Sequence, residues 1–266
     1  ALSTIFTKAK ETEKYKFIDN KKAITIANSE SLIIVLDTHK PSLTECHELL
    51  EVTERIVVID HHRKAEESIT NPTLSYIESY ASSTCELITE ILQYSIQKNT
   101  LSKLEAEALL AGMTIDTNRF AVKTGVRTFE AAAWLRKSGA DTTEVKRFFQ
   151  TNMATFKTRA GGIASAEILD CGVALSICEG CNPDAQIINS QVADELLNIK
   201  GIKATFVAGK NERSETVVSA RSLGDVNVQI IMEKFGGGGH LTTAGAQVEQ
   251  TPEEFIKILK EIVKKI

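Results

Sequence analysis

The sequence predicts an α/β protein: a parallel-sheet domain followed by a smaller α/β domain. Three observations carry this. Short apolar runs end in aspartate, with residues 31–36 leading into Asp37, residues 55–59 into Asp60 and residues 111–115 into Asp116. Parallel strands buried on both faces read as continuous apolar runs, and polar groups at their carboxyl ends meet in the ligand crevice of an open sheet. Helical spacing alternates with these runs. A charged helical stretch then loosens at Gly161-Gly162, so the expected division is 1–150, a linker at 151–165, and 166–266. A chain of 266 residues has room for two cores.

In order, residues 1–28 read as helix and surface connection, with a charged run from Lys8 to Lys16 and no phosphate-binding glycine loop. The run at 31–36 is apolar on both faces and reads as a strand covered on each side. Thr38-His39-Lys40-Pro41 breaks it, and Ser42 is expected to cap a helix through Leu49 and Leu50. The strand at 55–59 completes a βαβ unit with a right-handed crossover. Leu87, Ile88, Ile91 and Leu92 fall at helical spacing. A helix from residue 101 to 110 precedes the run that delivers Asp116. Thr128 caps another helix, with Phe129, Ala132, Ala133 and Leu135 on its apolar face and Gly139 at its end.

Beyond the linker, residues 168–177 read as strand and Asp184 as the start of a helix to Asn198. Residues 203–209 and 215–221 form paired strands, and 226–235 a helix. Thr251-Pro252-Glu253-Glu254 is a capping box with proline at the first helical position. The final helix carries Phe255, Ile258, Leu259, Ile262 and Ile266 on one face.

Candidate chemistry concentrates at Asp60-His61-His62. Neutral histidine nitrogen is a metal ligand near pH 7, and carboxylates suit manganese or magnesium. Asp37 alone could equally cap the next helix. His39 reads as a loop residue near the site and His47 as a helix-face residue, neither a ligand. Ser82, Ser83 and Thr84 stand at a helix start, where they cap it, contribute to a phosphate site, or both. Gly236, Gly237, Gly238 and Gly239 precede His240; they could bring backbone N–H groups against an anion or simply form a flexible hairpin. Arg221 is a phosphate fork or a surface arginine. Cys178-Glu-Gly-Cys181 has metal spacing, but without a second pair it reads as structural or incidental.

The motifs Val-Leu-Asp37-Thr-His, Val-Ile-Asp60-His61-His62, Ala-Ser82-Ser83-Thr84-Cys-Glu-Leu, Gly-Met-Thr-Ile-Asp116-Thr, Ser-Ala-Arg221-Ser and Phe-Gly-Gly-Gly-Gly-His240 resemble, in order and spacing, the DHH phosphoesterase superfamily with a DHH-associated second domain. Within that branch the wording is similar to the catalytic region of bacterial cyclic-di-AMP phosphodiesterases. The resemblance implies manganese-dependent hydrolysis of cyclic-di-AMP to the linear 5′-phosphorylated dinucleotide, by two-metal activation of water. It implies that Asp37 bridges two Mn2+ ions, that His61 and Asp116 complete one shell, that Asp60 supports them, and that His62 contacts the scissile phosphate. Mg2+ or Co2+ are alternative ions. Arg221, the glycine run and His240 would hold the far part of the substrate, with the active site in the cleft between domains. A homodimer and upstream membrane helices also belong to the family pattern.

One departure stands out. The family's first motif, His-x-x-x-Asp-x-Asp, has no match in residues 1–36, where Asp19 is the only aspartate and histidine is absent. The expectation is therefore a fragment that binds substrate but turns it over poorly. Alternatives are a nanoRNase or phosphoadenosine-phosphate phosphatase of the same fold, or a non-catalytic cyclic-dinucleotide receptor. A net charge of −4 and the lack of a basic, aromatic-lined track argue against long nucleic acid as partner. Five cysteines without secreted-domain spacing, no signal peptide and no membrane-length apolar run point to a cytoplasmic location without membrane contact by these residues.

Overall fold

The computed structural model describes residues 2–11, 15–95 and 101–263. The chain divides into two compact units, Ala1–Gln150 and Thr151–Ile266. Ile266 and the middle of the Lys8–Lys16 run lie outside the described residues.

The first unit opens with helices α1 (Leu2–Glu11) and α2 (Asn20–Ile26), the latter capped by the Asp19 carboxylate accepting from the Lys22 N–H. Strands β1 (Ile33–Leu36), β2 (Ile56–Asp60) and β3 (Leu74–Ile77) form a parallel three-stranded sheet in that order. Helices α3 (Thr84–Ser95), α4 (Lys103–Asp116), α5 (Val126–Lys137) and α6 (Thr142–Phe148) follow. Leu110, Met113, Leu135 and Phe148 make the helical core, while Val35, Ile56, Val58 and Ile69 pack on one face of the sheet. Ile59 and Leu87 join sheet to helices on the other face.

Several expectations need correction here. The crossover from β1 to β2 holds no α-helix. Two short 3-10 helices, Pro41–Leu43 and His47–Glu51, take its place, with Pro41 rather than Ser42 at the first turn. β1 is not covered on both faces: alternation turns Val35 inward, while Ile34 and Leu36 on the opposite face of this edge strand remain 54% and 48% exposed. Asp116 closes a helix, not a strand; the Ser102–Glu105 capping box starts α4, which then absorbs residues 111–115. In α5, Gly125 is the N-cap, Thr128 sits one turn in, and Ala131 and Leu135 are buried while Phe129 is 55% exposed.

The second unit begins with α7 (Met153–Ala164), β4 (Glu167–Ile168), β5 (Val173–Cys181) and α8 (Ala185–Leu197). It continues with β6 (Ala204–Lys210), β7 (Thr216–Ser222), α9 (Val228–Glu233), β8 (Gly238–His240), β9 (Thr243–Val248) and α10 (Pro252–Val263). Its mixed sheet runs β4-β5-β6-β7-β9-β8, with β5–β6 the parallel pair. Alternation gives two cores. Ala174 and Val207 meet Ile188, Val192 and Leu196 of α8; Leu175, Phe206 and Ala220 meet Met232 of α9 and Phe255 and Leu259 of α10.

Residues 151–165 are thus no loose linker. They are mostly the helix α7, capped by Asn152 accepting from Thr155 N–H, and it continues through Gly161-Gly162 with Gly162 buried and Gly161 exposed. A Cβ at Gly162 would lie 2.8 Å from Cys178 Sγ. The apolar face of α10 is Phe255, Ile256, Leu259 and Val263, rotated from the expected one, with Ile258 exposed. Among the described residues, no helix is long and apolar enough to cross a membrane.

Candidate metal centre

Parallel pairing delivers the first two acidic groups to one edge. The ladder runs past the strand ends, Asp37 N–H donating to Ile59 O at 3.0 Å and Glu78 N–H to Asp60 O at 3.0 Å. Asp37 itself turns into the left-handed region, φ 66°, which aspartate tolerates better than most residues. Its Oδ1 accepts from Thr84 Oγ1 at 2.8 Å, so the start of α3 fixes the carboxylate. From the end of α4, Asp116 approaches the same place. His61 Nε2 stands 3.6 Å from Asp37 Oδ1 and 4.0 Å from Asp116 Oδ2. His62 completes the group: Asp37, His61 and His62 can each offer a ligand atom within 4.8 Å of the others.

Electrostatics favour a cation among these groups. Burial pushes the Asp116 carboxyl above the ordinary carboxylate range, and Asp37 adds to the rise, with His61 only partly opposing it. Two carboxylates facing one imidazole at these distances repel, and a cation between them would relieve the repulsion. Nitrogen and oxygen donors of this kind suit Mn2+ or Mg2+.

Asp60 works from behind. It is fully buried, and both its oxygens are engaged: Oδ2 meets His39 Nδ1 at 2.5 Å, and Oδ1 meets His62 Nδ1 at 2.7 Å and the His62 N–H at 3.1 Å. Because His39 Nε2 accepts from Ala65 N–H at 3.0 Å, His39 carries its proton on Nδ1 and donates it to Asp60. Burial alone would raise the Asp60 pKa, but the hydrogen bonds from His39 and His62 outweigh it and hold the carboxyl below its ordinary value. With His62 Nδ1 turned toward Asp60, Nε2 is left to act on a ligand. His39, read from the sequence as a loop residue, is 1% exposed and is the support for that carboxylate. The available signal was indirect: a carboxylate inside a strand requires donors, and His39 lies just beyond the neighbouring strand.

Residues 1–113 match the DHH family, N-terminal domain, and residues 174–266 match the DHHA1 domain. The chain is a DHH–DHHA1 protein. The cyclic-di-AMP phosphodiesterase GdpP of Geobacillus thermodenitrificans is 47% identical over 231 residues, covering 87% of this chain and 35% of that protein. The cyclic-di-AMP phosphodiesterase PdeA of Listeria monocytogenes is 44% identical over 227 residues, covering 85% and 35%. The DHH–DHHA1 chain thus spans about a third of the length of these relatives. Among solved structures, an exopolyphosphatase-related protein from Bacteroides fragilis shares the fold, with a TM-score of 0.75 at 21% identity over 89% of this chain and 72% of that one. The DHH phosphoesterase family is metal-dependent.

In the DHH domain the residues before α3 use their hydroxyls internally. Ser82 Oγ donates to Glu86 Oε2 at 2.6 Å, Ser83 Oγ accepts from Glu86 N–H at 3.1 Å, and Thr84 holds Asp37. Ser82 and Ser83 are buried, so capping accounts for their side chains. Glu86 is a second group the sequence reading missed. Buried, it also accepts from Thr128 Oγ1 at 2.6 Å and so ties α3 to α5.

In the DHHA1 domain Arg221 Nε donates to Asp194 Oδ1 at 2.9 Å, which engages part of its guanidinium. The glycine run is a hairpin strand. A Cβ at Gly237 would meet Gly245 O at 2.2 Å, and one at Gly239 would meet Thr243 O at 2.4 Å, so close pairing of β8 with β9 accounts for both. Gly236 adds a left-handed φ of 75°, and His240 is exposed. Cys178 is buried and Cys181 exposed, with a register shift between them; both are free thiols.

Proposed function

We propose that this chain is the catalytic region of a metal-dependent phosphodiesterase that opens cyclic-di-AMP to the linear 5′-phosphorylated dinucleotide. The observation that carries the reading is the convergence of Asp37, His61 and Asp116 from two strand ends and a helix end, with His62 beside them. The names of GdpP and PdeA, at 47% and 44% identity, support the substrate class.

Asp37, His61 and Asp116 would hold the ion, for which we favour Mn2+. When bound, a divalent cation supplies Lewis-acid activation of water and neutralises charge on phosphoryl oxygens. The chain's own residues do the rest. Thr84 orients Asp37. Asp60 holds His62 through Nδ1, which leaves Nε2 to contact a non-bridging oxygen of the scissile phosphate. His39 keeps Asp60 ionised and fixed in place. In the DHHA1 domain, Arg221, Gly236 to Gly239 and His240 are assigned to substrate binding.

The test is Mn2+-dependent turnover of cyclic-di-AMP and of short linear oligonucleotides by this chain and by a form extended upstream. Activity on the cyclic substrate, abolished by Asp37→Asn, supports the assignment. Preference for linear oligonucleotides would move it to a nanoRNase. Binding of cyclic-di-AMP without turnover in either form would make it a receptor.

A further inference from the structure

The segment after Asp116 has a conformation the metal centre does not require. Asn118, Arg119 and Phe120 lie consecutively in the left-handed region, at φ 46°, 59° and 64°, and Lys123 follows at 53°. Non-glycine residues pay a steric penalty there, and such strain persists only where surrounding structure over-determines it, typically around functional sites. Here Thr117, fully buried, is the determinant. Its Oγ1 donates to Met113 O at 2.6 Å and accepts from Phe120 N–H at 2.9 Å, while its carbonyl accepts from Ala121 and Val122 N–H, both at 2.9 Å. Arg119 N–H donates to Thr114 O at 2.7 Å, and the Phe120 ring stacks on Phe129 at 5.9 Å.

This fixed loop presents two exposed cations, Arg119 and Lys123. Among the described residues neither has an ion-pair partner. Because Val122 N–H bonds back to Thr117 O at 2.9 Å, the loop returns Lys123 to the end of α4, where Asp116 lies. An exposed positive charge is therefore carried close to the end of α4, with no ion-pair partner among the described residues.

We propose that the loop from Asn118 to Lys123 is a second anion subsite, in which Lys123, helped by Arg119, holds the phosphate of the substrate that is not being cleaved. The inference rests on the phosphodiesterase reading above. A cyclic dinucleotide carries two phosphodiesters, and once one lies at Asp37 and His61 the other needs a neutralising partner in a chain of net charge −4. Strain in the loop serves to aim Lys123 before substrate arrives, so that less ordering is left to binding.

The experiment compares wild type with Lys123→Asn, which tolerates the left-handed backbone but removes the charge, and with Lys123→Arg, Arg119→Ala and the double variant. Substrates are cyclic-di-AMP, with two phosphates, and bis(p-nitrophenyl) phosphate, with one; equilibrium binding of cyclic-di-AMP and thermal melting are read alongside. The expected result is a KM for cyclic-di-AMP raised about tenfold in Lys123→Asn with kcat within about twofold, as loss of a charge-assisted hydrogen bond would give. Lys123→Arg restores it, and turnover of the single-phosphate substrate is unchanged in all variants. Equal loss on both substrates, or no change in KM and binding, overturns the subsite while leaving the phosphodiesterase reading standing. A wild type that neither binds nor hydrolyses cyclic-di-AMP overturns both.

Discussion

A buried carboxylate with every lone pair in use is sensitive to single substitutions, and Asp60 is such a group. His39→Ala would strip Oδ2 of its donor and leave a charged oxygen without water or partner. The expected loss is about 1.5–3 kcal/mol at pH 7, measured by urea unfolding. Its pH dependence has a definite sign. The folded Asp60 pKa lies below the unfolded value, so its stabilisation is complete above roughly pH 4–5 and is lost as pH falls through the folded pKa. The gap between wild type and His39→Ala should therefore narrow in acid. Retention of the full gap at pH 3 would show that His39 acts through packing instead. Ligand loss is a separate matter: His61→Ala should weaken Mn2+ binding by tenfold or more in calorimetry, with melting in the absence of metal little changed. Cys85, beneath the same site, has its thiol pushed up to about 12 by burial and by the Asp116 and Asp37 carboxylates, and Cys178 is pushed up to about 11 by burial. Iodoacetamide at pH 8 should label Cys171 and Cys181 and spare both of these.

At the scale of elements, the start of α3 is the hub of the DHH domain. Glu86 holds Ser82 and Thr128, while two residues upstream of it Thr84 holds Asp37. Glu86→Ala would leave two buried hydroxyls without their acceptor, for about 1–3 kcal/mol of stability, and would loosen the residue that aims Asp37. Turnover should fall further than Mn2+ affinity; an unchanged kcat in a folded variant would restrict Glu86 to stability. Elements also mark where sequence patterns lose resolution. Residues 111–115 form an apolar run too short to separate helix from strand by period, and the Ser102 capping box that decides for helix lies a full two turns upstream. The crossover at 41–51 departs from its pattern for a related reason: a serine after proline reads as a cap, but Pro41 and the Glu67 carboxylate accepting from Ser42 N–H settle the chain into 3-10 turns.

For the whole molecule, legibility followed how local the determinant was. The paired strands at 203–209 and 215–221, the proline-led capping box of α10 and the aspartates at strand ends are set by neighbours in sequence, and their positions were readable. So was the group of Asp37, His61 and Asp116, because residue type and placement at element ends announce it. His39, Glu86 and Thr117 were not, since their roles depend on burial and on partners 21, 42 or a few residues away that no period encodes. The glycine run illustrates the converse. Its composition stands out in the sequence, but the approach of β8 to β9, which demands glycine at Gly237 and Gly239 whatever ligand the hairpin meets, does not.

The half-covered edge of β1 has a practical consequence. Leu32, Ile34 and Leu36 stand about half exposed beside a backbone with no further strand beyond it among the described residues. Such an edge is a template on which another extended segment can grow a sheet. In concentrated solution this chain should scatter light and sediment as heterogeneous aggregates nucleated there. Ile34→Lys, which places a charge on that rim, should disperse them while leaving the melting profile nearly unchanged.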